Sequence, residues 1–342
     1  MLKKIRWSLE FILLYTPYML LRYLPWHLMR STAWLAGFCM HLLPGVRKLI
    51  RANIRAAMPE LSEKEVRRIG RASLDHLMWN LLEYVWLTGS EKRIRRYCGL
   101  DELTMQTLHE LVRKDTRVIY VNPHIGSWEA SGLMSPFYAG VRIAAIAKPL
   151  KNPYLNKLFN HGSRESTAGV RVIFSKGAMR AALSALKDGW GIGTLNDQNT
   201  RVRDGGVFVN FFGLPVPGST APAMLKEYCD QKGIPCQIFF ACSLREKNGK
   251  VIGRIFPLKK KFEEYSSHAE ILQEFMDAAE QLIRQYPEQY LWFYKRFQHI
   301  PENAAPEQIK RYPYYASRPG KNFYRKVRER NIHTADNGET EA

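Results

Sequence analysis

One stretch of the chain combines residue types that can move a proton: VNPHIGSWEASG, residues 121–132. An apolar run ends at Val121, and Asn122-Pro123 is a turn signal that stops it. His124 is therefore expected in a turn, with Ser127 capping a helix that begins at Trp128. Glu129 falls in the first turn of that helix, facing back toward the strand end. A carboxylate there can accept the imidazole Nδ1–H, which fixes the tautomer and leaves Nε2 to deprotonate a hydroxyl. No G-x-S-x-G nucleophile elbow occurs. The chemistry that suits such a pair is direct attack by an acceptor's own hydroxyl on a thioester, with His124 as general base. Spacing alone also fits a purely structural His–Glu contact.

The elements that must position this stretch change character along the chain. From Arg47 to about Cys98 the pattern is helical, with a capping box at Ser62 and Glu65 and apolar steps of three and four from Val66 to Trp86. After Asp115 short apolar runs alternate with helical segments. Strands are expected at 117–121, 142–147, 171–174, 191–195, 237–244 and 251–256, and helices at 127–138, 153–165, 176–188 and 220–231. Such alternation predicts an α/β fold, a mixed and largely parallel sheet flanked by helices. In open sheets of this kind ligands bind at the carboxyl ends of the strands, which is where His124 falls. A long amphipathic helix is expected over 265–286, and beyond Ile300 the chain turns polar, basic and proline-containing.

Residues 1–45 carry apolar runs from Phe11 to Leu21 and from Ser31 to Val46, broken by Arg22, with Trp7, Trp26 and Trp34 among basic residues. Neither run reaches the roughly 20 apolar residues of a clean span, and no small-residue cleavage site follows the first. The segment reads as a membrane anchor, interfacial or singly spanning and tilted. A pair of buried core helices is the plainer alternative. The expected organisation is thus 1–45 membrane contact, 46–300 a catalytic domain and 301–342 a basic, flexible tail. Lys and Arg number 51 against 32 Asp and Glu, a formal net charge of +19. That excess calls for a negative partner, and charge alone fits a nucleic acid and an anionic membrane equally; its dispersal, the lack of a helix-turn-helix or RNP-like element and the apolar N-terminus together argue against nucleic acid. The five cysteines lack metal-ligand spacing and read as reduced core thiols. No metal and no cofactor is expected.

Further blocks resemble the bacterial late acyltransferases of lipid A biosynthesis, themselves related to the glycerolipid acyltransferases. These blocks are the H-x4-E motif itself, AKPLKNPYLNKLF at 147–159, VRVIFSKGAMRAALSALKDGWGIGTLNDQN at 170–199, GVFVNFFGLPVPGST at 206–220 and PEQYLWFYKRFQ at 287–298. ANIRAAMPELS, at 52–62, is similar to the family's N-terminal helical region. The resemblance implies a bacterial inner-membrane enzyme whose catalytic domain faces the cytoplasm. It would move a fatty acyl chain from acyl carrier protein or coenzyme A to a hydroxyl of an anionic glycolipid. His124 would be the base and Glu129 its partner, with backbone amides at Ser127 and Trp128 as donors to the oxyanion. Arg164 would be the cation for a thioester or phosphate, with a surface arginine pairing with Glu165 as the plainer alternative. Asp197 and Gln198, after a strand end, match the family's D-Q pair and read as site wall or substrate contact, with a strand-end cap as the plainer alternative. Arg201 (with Arg203) and Lys148 are candidates for phosphate or carrier-protein contacts, against the plainer reading of solvated loop cations. Phe208 and Phe211, with Phe212, are candidates for an acyl groove, although core packing explains them as well. Two other readings stay open: a catalytically inactive lipid-binding scaffold, and a nucleic-acid-binding protein.

Overall fold

Five helices occupy the first 97 residues: α1 (Leu2–Tyr23), α2 (Trp26–Leu42), α3 (Pro44–Ala57), α4 (Glu63–Leu87) and α5 (Glu91–Tyr97). The computed structural model describes residues 2–160, 169–174 and 177–324. Pro25 separates α1 from α2, because the residue before a proline is disfavoured in helical conformation. The capping box forms as expected: the Ser62 hydroxyl accepts the Glu65 N–H, and the Glu65 carboxylate accepts the Ser62 N–H at 2.8 Å. Met29, Ala33 and Gly37 are the buried face of α2. At Gly37 a Cβ would lie 3.0 Å from the Asp75 Cα, so glycine sets how closely α2 approaches α4. The outer faces of α1 and α2 leave Leu9, Ile12, Leu13, Leu20, Leu28 and Leu35 exposed. Among the described residues no helix is long and apolar enough to cross a membrane.

The remainder is an α/β layer built on a seven-stranded sheet in the order β1-β9-β8-β2-β5-β3-β4. The strands are β1 (Cys98–Leu100), β2 (Arg117–Asn122), β3 (Ile143–Ala147), β4 (Arg171–Phe174), β5 (Gly191–Leu195), β8 (Cys236–Arg245) and β9 (Val251–Pro257). Five neighbours from β8 to β4 run parallel, and only the β8–β9 pairing is antiparallel. The connecting helices are α6 (Glu102–Arg113), α7 (Trp128–Ala139), α8 (Pro153–Phe159), α9 (Ala178–Lys187), α10 (Ala221–Gln231) and α11 (His268–Gln285). This is the mixed, largely parallel sheet flanked by helices that the alternation of apolar runs predicts.

Three strands escape a sequence reading: the three-residue β1 at the sheet edge and two more outside the sheet. β6 (Gly206–Phe211) and β7 (Leu214–Ser219) form a separate antiparallel hairpin. Pro215 and Pro217 argue against a central strand, but a two-stranded ribbon leaves edge N–H groups unused, so the prolines fit there. The tail expected to be loose is also held as far as Tyr324. Tyr312 and Phe323 are buried, and Arg311 donates to the Ala56 and Phe212 carbonyls. The Tyr315 hydroxyl hydrogen-bonds to Asn53. Polar composition concealed a few aromatic anchors, and those anchors decide the packing.

Behind α7 lies an ion pair wholly out of water. Glu83 of α4 is 0 % exposed, and its carboxylate accepts from Arg245 Nη1 at 2.8 Å, with Nη2 on the other oxygen. The guanidinium stacks on Trp79, 3.8 Å from the ring centroid, and Arg245 Nη1 also donates to the Gly249 carbonyl. Removing one partner of such a pair strands a charge in an apolar interior. Arg245→Met is therefore expected to destabilise the fold by about 3–5 kcal/mol, whereas Glu83→Leu combined with Arg245→Met regains most of that loss. Thermal unfolding of both variants checks this, and a double variant no more stable than the single one counts against it.

Candidate active site

β2 and β5 are parallel neighbours, with Asn122 opposite Leu195. Their chains leave the sheet at the same edge, so residues two beyond each strand end meet there: His124 and Asp197. Imidazole Nδ1 lies 2.5 Å from Asp197 Oδ1, and the His124 backbone N–H donates to Oδ2 at 3.0 Å. Asp197 is 2 % exposed and His124 8 %. Burial alone would push the Asp197 carboxyl up, but His124 and then Arg296 outweigh it and hold the group below its ordinary value. The carboxylate therefore takes the Nδ1 proton as a hydrogen bond. Gln198 Nε2 sits 3.2 Å from imidazole Nε2, which acts as the acceptor in this tautomer.

This corrects the expected pairing. Asp197, not Glu129, holds Nδ1, because strand register brings residues 124 and 197 together, whereas Glu129 opens a helix whose first turn faces a cleft. The cleft, with an internal volume of about 80 Å³, lies between α7 and the carboxyl ends of β2, β5 and β3. Glu129 and Trp128 stand in its wall with Tyr84, Ile143, Ala145 and Leu195. The Trp128 ring centroid is 5.4 Å from that of His124. Small residues keep the space open: nothing lies within 4 Å of a Cβ built on Gly132, and Gly193 faces the same cleft.

The other expected residues divide. Ser127 holds the N-cap position of α7, as expected, but makes no side-chain capping bond and its amide is already used: its Oγ donates to Glu83 at 2.9 Å and its N–H to the Ser243 carbonyl at 2.8 Å. The Trp128 amide starts α7, where N–H groups lack an intrahelical acceptor. Phe211 is buried in the core against Phe212, Tyr290 and Phe297, and Phe208 packs on Phe323. Neither phenylalanine lines the cleft. Arg201 is exposed and pairs with Asp204 at 2.6 Å, as a loop cation does. Lys148 is exposed just after β3, at the same edge of the sheet as His124. Arg164 lies outside the described residues.

Sequence reasoning missed the clamp formed by residues 289–296. The Gly126 N–H donates to the Gln289 carbonyl, and the Leu291 N–H to the His124 carbonyl. On the other turn, the Asn199 N–H donates to the Tyr294 hydroxyl, Asn199 Nδ2 to the Lys295 carbonyl and Arg296 Nη1 to Asn199 Oδ1. Both turns of the site are thus sewn to one C-terminal segment. Gly126 permits the close fit, since its φ is 63° and a Cβ would meet the Ser243 oxygen at 2.1 Å. The PEQYLWFYKRFQ block was visible in the sequence, but its contacts with residues more than 90 positions away were not.

An imidazole held at Nδ1 by a buried carboxylate, beside an apolar cleft, can deprotonate a hydroxyl whose partner carries a long apolar group. Among the described residues no cluster of three potential metal ligands occurs. Comparison with curated proteins gives no significant match. A family profile described as bacterial lipid A biosynthesis acyltransferase matches residues 3–299, most of the chain. The chain therefore belongs to the bacterial lipid A biosynthesis acyltransferase family, and it is an enzyme that transfers acyl groups.

Proposed function

We propose that the enzyme transfers a fatty acyl chain from an acyl carrier protein or coenzyme A thioester to a hydroxyl of a lipid A precursor or similar anionic glycolipid. The observation that carries this reading is the His124–Asp197 pair beside the cleft under α7. His124 Nε2 takes the hydroxyl proton as the oxygen attacks the thioester carbonyl, displacing Gln198 from its hydrogen bond. The new C–O bond forms, the C–S bond breaks, and the imidazolium returns the proton to the departing thiolate. No covalent enzyme intermediate is needed. Glu129, in the cleft wall, accepts a hydrogen bond from the incoming hydroxyl and orients it. The Trp128 amide and Arg164 are the proposed sources of oxyanion and phosphate stabilisation, with Lys148 and Arg201 as outlying cations for the anionic substrates.

The exposed leucines and isoleucines of α1 and α2 favour a location on the lipid surface. Burying such a side chain fully is worth about 1.5–3 kcal/mol. With Lys3, Lys4 and Arg6 nearby, these helices lie on the cytoplasmic face of the inner membrane, where the acyl thioesters are made.

Acyl transfer from radiolabelled acyl carrier protein thioesters to bacterial lipid extract tests the chemistry. His124→Ala and Asp197→Asn are each expected to lower the rate by about 10²–10⁴-fold, the range for loss of a general base. A variant retaining the full wild-type rate would remove that residue from the mechanism. The cleft is tested separately with Gly132→Leu, which fills space without meeting protein atoms at the Cβ and replaces glycine with a better helix former. The preferred acyl chain should shorten, each methylene at the groove's end being worth about 1–3 kcal/mol. Unchanged selectivity over a series of chain lengths would place the acyl chain elsewhere.

A further inference from the structure

The meeting point of α2, α3 and α4 carries a cationic cluster remote from the catalytic pair. Arg47 and Arg51 stand one turn apart on α3, and Arg67 and Arg71 one turn apart on α4. Arg47, Arg51 and Arg67, with His41 from the last turn of α2, line a small cavity between these helices. Ile50, Val66 and Leu74, all buried, complete its wall, and Gly70 lets α3 pack close, since a Cβ there would lie 3.1 Å from Ile50. Two carboxylates stand one turn from the cluster, and each is taken: Asp75 pairs with Arg71 at 2.7 Å, and Glu63 with Arg55. Arg47 Nη1 is fixed on the His41 and Leu42 carbonyls, at 3.0 and 3.3 Å. Among the described residues Arg51 and Arg67 have no hydrogen bond or ion pair. Like charges one turn apart on a helix repel, so the cluster is costly as it stands. Burial, then the charges of Arg71, Arg47 and Arg51, hold His41 below its ordinary value.

An apolar face adjoins these cations. Trp34, Leu35, Phe38, Leu42 and Leu43 are exposed on and just after α2. The Arg71 guanidinium lies 5.8 Å from the Trp34 ring centroid and 5.5 Å from that of Phe38. Trp34, Phe38 and His41 follow at steps of four and three, which puts the rings and the cluster on one side of α2.

We propose that this cluster binds the phosphate of an anionic phospholipid headgroup and so seats α2, α3 and α4 on the membrane. Guanidinium groups without a carboxylate partner call for an anion, and their fork matches phosphate oxygens. The exposed rings and leucines beside them favour an anion attached to a lipid over a soluble one or an acidic protein surface. The cavity itself, at about 10 Å³, admits no phosphate, so the headgroup sits at its mouth, within reach of Arg51 and Arg67. From Arg67 to Tyr84 α4 rises about 25 Å, which separates the cluster from the cleft that Tyr84 lines. The inference rests on the reading that α1 and α2 lie on lipid, and not on the proposed reaction.

Flotation of the full chain with vesicles tests it, using phosphatidylcholine alone or equal parts phosphatidylcholine and phosphatidylglycerol. The wild type should prefer the anionic vesicles. Arg51→Gln combined with Arg67→Gln should weaken that binding roughly 25-fold, about 5-fold per cation at an anionic surface, and leave binding to phosphatidylcholine unchanged. Lys259→Gln with Lys261→Gln removes the same charge from the exposed loop after β9 and should cost less than about 2-fold, its charges being screened from the vesicle. Arg51→Lys should lose part of the binding, because an ammonium lacks the fork. Full anionic preference in the double arginine variant overturns the proposal. An equal loss in the lysine variant also overturns it, since net charge would then suffice, as does an equal loss on neutral vesicles. Should the double arginine variant fail to fold, Arg67→Gln alone, at an exposed residue, decides. Acyl transfer in neutral detergent should keep its wild-type rate in the arginine variant; a fall there would assign the cluster to the acceptor site instead. A wild type that transfers no acyl group but keeps an arginine-dependent vesicle preference would reject the proposed reaction and support the headgroup site. A wild type that floats with neither vesicle would reject the membrane reading and this site with it.

Discussion

The parallel register of β2 on β5 is the constraint on which the rest of the site depends. Asn122 lies opposite Leu195, and two residues beyond each the chain delivers an imidazole and a carboxylate within hydrogen-bonding distance. A two-residue slip would carry them about 6–7 Å apart, and a one-residue slip would turn the side chains to the other face. The register is held because both strands are flanked by further parallel strands, β8 on one side and β3 on the other. Val121, Ile119 and Ile192 also bury one face in the main core.

Two buried cations frame that register. Behind α7, Arg245 neutralises Glu83, and Glu83 in turn holds the Ser127 hydroxyl. Behind the turn after β5, Arg296 anchors Asn199. Each cation lies against an aromatic ring, Trp79 and Phe211 respectively, where the flat, weakly hydrated guanidinium packs well. Burying such charges is costly, and broken singly they are worse than absent. In return they restrict the two turns to few arrangements.

The cleft and the N-terminal helices share one physical theme. Gly132 and Gly193 leave space under α7 that larger residues would fill, and α1 and α2 leave apolar side chains turned outward. Both features withhold packing that a protein built only for stability would complete. The proposed reaction has a use for each, its substrate being apolar at one end and reacting at a polar centre at the other.

Much of this was legible locally. Alternating apolar runs marked the α/β layer, Ser62 with Glu65 marked a helix start, and Asn122-Pro123-His124 marked a turn at a strand's end. Asp197 and Gln198 were recognisable as a polar pair in the same kind of place. Which carboxylate His124 uses was not legible, because proximity along the chain favours Glu129 while proximity across the sheet favours Asp197. Phe208 and Phe211 could not be assigned to groove or core from their type, and the anchoring of residues 301–324 was hidden by their polarity. By itself, then, the sequence determined the elements and the residue types at their ends, since propensity, capping and periodicity act over a few residues. The tertiary structure alone decided which ends meet, because strand register and the clamp of residues 289–296 depend on contacts between segments far apart in the chain.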